Sequence, residues 1–217
     1  MINLSPVHQV EVSPRKLPGL LAVPGGARGI VIFAHGSGSS RLSPRNMRVA
    51  HALNMAGLAT LLFDLLLPEE AEDRSNVFDI ALLASRLEET LDWIGNEETL
   101  AGLPIGLFGA STGAGAALLA AARRPDQVSA VVSRGGRPDL AAGALALVKA
   151  PTLLIVGGLD SVVIDLNERA MAELKCEKRL EIVPGATHLF EEPGTLDAVI
   201  SLAAAWFVRF LGRGSKA

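Results

Sequence analysis

The stretch Gly109-Ala110-Ser111-Thr112-Gly113 has the form G-x-S-x-G, a serine between two glycines. It follows the apolar run Pro104-Ile105-Gly106-Leu107-Phe108 and opens an alanine-rich stretch that begins at Thr112. A serine at a strand-to-helix turn is lifted clear of the sheet by a strained backbone, and the flanking glycines make room where side chains would collide. That context predicts Ser111 as a nucleophile. The blander reading is that Ser111 caps a helix packed closely through Gly113 and Gly115.

A serine hydroxyl needs a base to attack at neutral pH. The chain has four histidines. His8 falls in an edge hairpin, His51 falls inside a helix, and His35 directly precedes a glycine turn whose shape it would fix. His188, in Pro184-Gly-Ala-Thr-His-Leu-Phe190, follows the last strand, at the carboxyl edge where α/β proteins gather their ligands and catalytic groups. It is the expected base. The base needs a carboxylate to hold its tautomer. Asp160 ends the run Leu153–Asp160 just beyond the seventh strand and is preferred. Asp165, five positions on, is the rival, and it sits where a helix N-terminus is expected and could simply cap it. The oxyanion of a tetrahedral intermediate needs backbone donors already aimed at it. The amide of Thr112 is one candidate. The amide of Ser37, in the loop His35-Gly-Ser-Gly-Ser-Ser40, is the other. This loop lacks the lysine and spacing of a phosphate-binding P-loop and is not a G-x-G-x-x-G turn.

These residues must be carried by elements in the right order. Apolar, β-branched runs predict strands at Val7–Val12, Leu20–Val23, Gly29–Ala34, Leu58–Phe63, Ile105–Phe108, Val128–Ser133, Thr152–Val156 and Arg179–Val183. The first two are polar and close enough to form an antiparallel edge hairpin, and the rest are apolar enough to be parallel and buried on both faces. Helices are expected at Arg45–Met55, Val77–Ile94, Thr112–Arg123, Asp165–Leu174 and Thr195–Leu211 from apolar spacing and start and stop signals. Alternation of strand and helix implies right-handed crossovers and a doubly wound sheet with helices on both faces. Eight strands with the antiparallel pair first, and the order serine, aspartate, histidine, are those of an α/β-hydrolase fold. Between the sixth and seventh strands only a short crossover helix fits, so no cap domain is expected, and the acidic loop Leu65–Asn76 makes a poor lipid-sensing lid.

The chain of 217 residues has no linker-like stretch, and residues 1–217 are read as one domain, with Gly212–Ala217 a frayed tail. Its net charge of −3 argues against a nucleic-acid partner. The mean hydropathy is +0.36, yet the longest apolar stretch, Ala198–Val208, falls short of a bilayer span, and the N-terminus carries no signal-peptide pattern. The one cysteine, Cys176, has no partner for an internal disulfide. A cytoplasmic protein, monomer or homodimer, with no membrane partner, no metal and no cofactor is therefore expected.

The segments HGSGSS, SPRN, LLFDLL, GASTG, SRGGRPD, GGLD and ATHLF together resemble the dienelactone hydrolase-like branch of the α/β-hydrolases, from about Val10 to Leu211. They are most similar to small hydrolase domains that stand alone or are fused to phosphoribosyltransferases. In dienelactone hydrolases the nucleophile is a cysteine, and here the elbow carries Ser111. The resemblance therefore implies hydrolysis of a small-molecule carboxylic ester, or a thioester, rather than the lactone of the family's namesake. Acyl transfer or perhydrolysis by the same triad, and a non-catalytic binding module, are the alternatives. Arg41, Arg45, Arg134 and Arg137 would lie near the site, either to bind an acidic substrate or to pair with Asp64, Asp139 or the Glu69–Asp73 loop.

Overall fold

A computed structural model describes residues 6–212, so 213–217 of the expected tail lie outside the described residues. Eight strands form one sheet in the order β1-β2-β4-β3-β5-β6-β7-β8. β1 (Val7–Val12) and β2 (Leu17–Ala22) form the antiparallel hairpin at one edge, and β2 runs antiparallel to β4 (Ala59–Phe63). From β4 onward the neighbours are parallel: β3 (Ile30–Ala34), β5 (Ile105–Ala110), β6 (Val128–Arg134), β7 (Thr152–Gly157) and β8 (Lys178–Val183). β3, β4, β5 and β7 are buried along their whole length, which explains why their sequences do not alternate. The edge strand β8 is only partly buried, and its Lys178, Arg179 and Glu181 keep that edge charged.

Two apolar cores lie on opposite faces of the sheet. On one, α1 (Pro44–Met55) and α7 (Thr195–Leu211) bring Val49, Leu53, Val199, Trp206 and Phe207 against Phe33, Phe108 and Val132. On the other, α4 (Ile80–Asn96), α5 (Thr112–Arg123) and α6 (Ser161–Glu173) pack on Ile32, Leu61, Leu107 and Leu154. The β6–β7 crossover holds only a 3₁₀ helix, Pro138–Leu147, and the described residues include no cap domain.

Several boundaries differ from the sequence reading, and β2 starts at Leu17 rather than Leu20. The long helix begins at Ile80 rather than Val77, because Asp79 caps it by accepting from Leu82 N at 2.9 Å. Ahead of it lie two short helices, α2 (Pro68–Ala71) and α3 (Arg74–Phe78). Helix α6 starts at Ser161, four residues before the expected Asp165, so Asp165 is an exposed residue inside the helix and caps nothing. No described helix is long and apolar enough to cross a membrane.

Candidate active site

Ser111 sits between β5 and α5 with φ 50° and ψ −122°, a conformation that only glycine adopts without strain. Three backbone hydrogen bonds hold it there: Ser111 N to Arg134 O at 3.3 Å, Ala114 N to Ser111 O at 3.1 Å, and Arg137 N to Ser111 O at 3.0 Å. The glycines of the motif are sterically required. A methyl group on Gly113 would overlap the carbonyl oxygens of Ala34 and His35, and one on Gly109 would stand 2.8 Å from Ala114 N. Ser111 occupies the N-cap position of α5, yet its hydroxyl makes no capping bond. The capping explanation of this serine therefore fails.

His188 lies in the loop after β8, and its Nδ1 is 2.7 Å from Asp160 Oδ2. A carboxylate only accepts, so Nδ1 carries the proton, and in the neutral ring Nε2 holds the lone pair. Burial pins the loop on both sides of the histidine, with Ala186 at 0% and Phe190 at 1% exposure. Thr187 adds a local clamp, donating from its hydroxyl to Glu192 at 2.6 Å and from its amide at 3.2 Å. These bonds hold the Glu192 carboxyl below the usual carboxylate range. The Asp160 loop is tied to the same segment by Leu159 N to Ala186 O at 2.9 Å and Gly158 N to Val183 O at 2.8 Å. Asp160 stands at the N-cap position of α6 but caps nothing, since its carboxylate turns to His188 instead.

The expected oxyanion donors lie side by side, with one difference from expectation. Ser37 N donates to Thr112 Oγ1 at 3.0 Å, so this amide already has a partner. The cause is the threonine after the nucleophile, whose buried hydroxyl reaches the glycine loop. His35 acts as a frame for that loop. Its Nε2 accepts from Leu65 N at 3.2 Å, which leaves Nδ1–H to donate to Gly36 O at 3.0 Å. Both ring nitrogens are used by the neutral form, and burial pushes the His35 pKa down. Asp64 clamps the other end of the loop through Arg41 N at 2.7 Å and the Arg41 guanidinium. His8 and His51 are exposed and lie apart from these groups on β1 and α1.

The four arginines divide. Arg41 pairs with Asp64 and Arg137 with Asp139, as the bland reading has it, while Arg45 meets Glu191 at 2.8 Å. Arg134 is different. It is 6% exposed, donates to Asn46 Oδ1 at 3.1 Å, lies 6.0 Å over the Phe190 ring, and its Nε has no partner. Burial, and then the Arg45 charge, bring its pKa down to about 10. The sequence reading named Arg134, and Asp64 as a partner for an arginine, but gave no role to Asn46, Phe190 or the Thr112 hydroxyl. Asn46 and Phe190 lie within SPRN and ATHLF, but nothing in those segments marks them as neighbours of Arg134.

A cleft of about 260 Å³ opens beside Ser37 and Thr112, lined on its far side by Leu65, Leu66, Pro68 and Val77. A larger groove, about 330 Å³, lies between the hairpin and α1, lined by Val7, Met47, His51 and Met55 among others. Neither is lined by Ser111, Asp160 or His188, but the first reaches Ser37 and Thr112, the residue that follows Ser111, and the second reaches no part of the site.

Against known proteins, the profile of the dienelactone hydrolase family matches residues 17–205. The chain belongs to the dienelactone hydrolase family. A structure of dienelactone hydrolase from Anabaena variabilis is 58% identical, with a TM-score of 0.90 over 95% of this chain and 97% of that one. Est1E from Butyrivibrio proteoclasticus, at 16% identity and a TM-score of 0.80 over 96% of this chain and 100% of that one, shares the fold. A putative phosphoribosyl transferase of Mycobacterium tuberculosis is 61% identical over 203 residues, 94% of this chain and 46% of that protein. The chain thus spans about half the length of the curated relatives it matches. For this member of a hydrolase family, the α/β-hydrolase fold and its likeness to a domain of phosphoribosyl transferase-named proteins agree with the sequence reading.

Proposed function

We propose that the protein hydrolyses carboxylic esters, or thioesters, of small substrates through an acyl-enzyme on Ser111. His188 Nε2 takes the hydroxyl proton as Ser111 Oγ attacks the carbonyl carbon, and the carbonyl oxygen becomes an oxyanion. The amides of Ser37 and Thr112 stabilise it, the first by exchanging the Thr112 hydroxyl for the oxyanion. The intermediate collapses, and His188 returns the proton to the leaving alcohol. Water then repeats the sequence on the acyl-enzyme, again through His188, and releases the acid. Asp160 keeps Nδ1 protonated and stabilises the imidazolium that forms at each attack. The reaction needs no metal or cofactor in this scheme. The observation that carries the reading is the 2.7 Å bond between His188 and Asp160, on loops tied together at the sheet edge that also carries the strained serine. The cleft of about 260 Å³ beside Ser37 and Thr112 is the space open to a short acyl chain.

A fluorophosphonate probe tests this directly. The wild type is expected to take up one equivalent, with the adduct on the peptide that contains Ser111, and Ser111→Ala to take up none. Short-chain esters are expected to turn over, without a jump in rate at the emulsion boundary. Absence of labelling, with no turnover of esters, thioesters or lactones, would favour a non-catalytic binding module. Faster product formation with added alcohol or peroxide than with water would mark acyl transfer or perhydrolysis by the same triad.

A further inference from the structure

The stretch from Leu67 to Ile80 contains no buried residue, although it lies between the buried Leu66 and the core helix α4. Only the half-buried Leu67, Val77 and Ile80 touch the core, and Phe78 is 50% exposed. A segment so poor in apolar anchors opens at a low free-energy cost unless something else holds it. Here the hold is polar and converges on one residue. Glu70 Oε1 accepts from Arg86 Nη2 at 2.6 Å, Glu70 Oε2 accepts from Leu67 N at 2.9 Å, and Glu70 O accepts from Asn76 Nδ2 at 2.9 Å. Arg86 is the fixed end. It projects from α4 with its side chain 3% exposed, and Glu89, itself paired with Arg15, stands 3.6 Å from its other terminal nitrogen. The neighbouring carboxylates Glu69, Glu72 and Asp73 are exposed. Glu69 and Glu72 add like charge rather than attachment, and Asp73 bonds only within the segment, accepting from Ser75 N and Oγ. The underside of the segment supplies Pro68, Ala71 and Val77 to the wall of the cleft beside Ser37 and Thr112.

We propose that Leu67–Asp79 is a hinged flap over the substrate cleft, clasped shut by the Glu70–Arg86 pair, and that this clasp limits the length of acyl chain the site accepts. The flap rests on the reading of that cleft as the acyl pocket of an esterase. Glu70 and Arg86 touch neither substrate nor the reacting atoms, so they are positioning residues. Closed, the wall of Pro68, Ala71 and Val77 bounds the cleft. Released, the segment swings on Leu66 and Asp79 and leaves an open groove for a longer chain.

The experiment compares Glu70→Ala with Glu69→Ala, which removes the same charge one residue away from the clasp. Amide hydrogen exchange across residues 67–79 reads the flap without reference to activity. A charge-assisted bond lost from a partly buried pair predicts exchange faster by about 10-fold or more in Glu70→Ala, with Glu69→Ala like the wild type. The ratio of kcat/KM for an octanoyl to an acetyl ester is expected to rise about 5-fold or more in Glu70→Ala only, with the acetyl rate within about 2-fold of wild type. Exchange or a chain-length ratio that is the same in the two variants overturns the proposal. If the wild type hydrolyses no ester, the esterase reading fails and, with it, the chain-length role. Exchange then still decides whether the clasp holds the segment.

Discussion

The backbone at Ser111 stores strain that two inactive variants should separate from chemistry. At φ 50° and ψ −122° a Cβ-bearing residue lies outside the ordinary allowed regions, at a cost on the order of 1–3 kcal/mol. Ser111→Ala keeps the Cβ and so keeps the cost, while Ser111→Gly discards it. Glycine also frees the unfolded chain, which takes back about 0.4–1 kcal/mol. The balance leaves Ser111→Gly more stable than Ser111→Ala by about 0–2.6 kcal/mol, with about 1.3 kcal/mol at the centre of both ranges. For a chain of this length each kcal/mol moves Tm by about 2–4 °C, so at the centre of that range the two midpoints should differ by about 3–5 °C. Calorimetric scans of both variants at one pH and one heating rate measure it. Both should lack turnover, reduced by about 10⁴-fold or more, so no difference in activity confuses the comparison. A Tm for Ser111→Ala equal to or above that of Ser111→Gly would show that the turn is unstrained. The elbow would then give no reason for a serine at this position.

Replacing Asp160 by Asn should lower kcat by about 10⁴-fold, because the amide no longer holds Nδ1–H and the ring presents the wrong tautomer. Asp165→Asn, exposed on α6, should stay within about 2-fold, and a larger loss there than at Asp160 would reverse the assignment. His35 should make stability depend on pH. Its folded pKa lies below the unfolded value, so the unfolded chain binds more protons and stability rises with pH. The contribution is complete above about pH 6.5 and is lost as pH falls below it towards the lowered folded value. Urea midpoints between pH 7.5 and 5 should fall in the wild type and fall less in His35→Gln, and equal slopes in the two would remove His35 as the cause.

The eight strands, their antiparallel edge pair and the strand-to-helix turn at Ser111 were legible because each rests on a pattern local to a few residues. Buried parallel strands read as short apolar runs, and the elbow needs glycine where no other residue fits. The start of α6 was misplaced for an instructive reason. Aspartate before a helix ordinarily reads as a cap, and that rule drew the boundary to Asp165. The residue actually at the N-cap is Asp160, which gives up capping because its carboxylate is turned to His188. A local rule failed where a long-range contact outbid it. The same holds for α2 and α3. Asp73 caps α3, while Glu70 of α2 is tied to Arg86, sixteen residues away, and no apolar periodicity announces such a bond. The arginines were ambiguous because charge pairing is decided in space. Two of the four found the carboxylates named for them, and Arg134 found an amide.

The two sides of the site are held by different physics, and this bears on what each can do. On the histidine side, Phe190 and Ala186 are sealed into the core, so His188 and Asp160 move only if that core loosens. A proton shuttle gains from such fixity, because donors and acceptors set before the reaction need no reorganisation during it. On the side of the cleft, the wall is attached through hydrogen bonds to Glu70 that water can replace. An acyl pocket tolerates that, since apolar contacts with a chain are non-directional and survive small displacements. The glycine loop lies between the two, and His35 and Asp64 stitch it to the segment after β4 rather than to the flap. Opening the flap therefore leaves the Ser37 amide anchored. Chain-length preference and oxyanion stabilisation can then change independently, and substitutions at Glu70 should alter the first without the second.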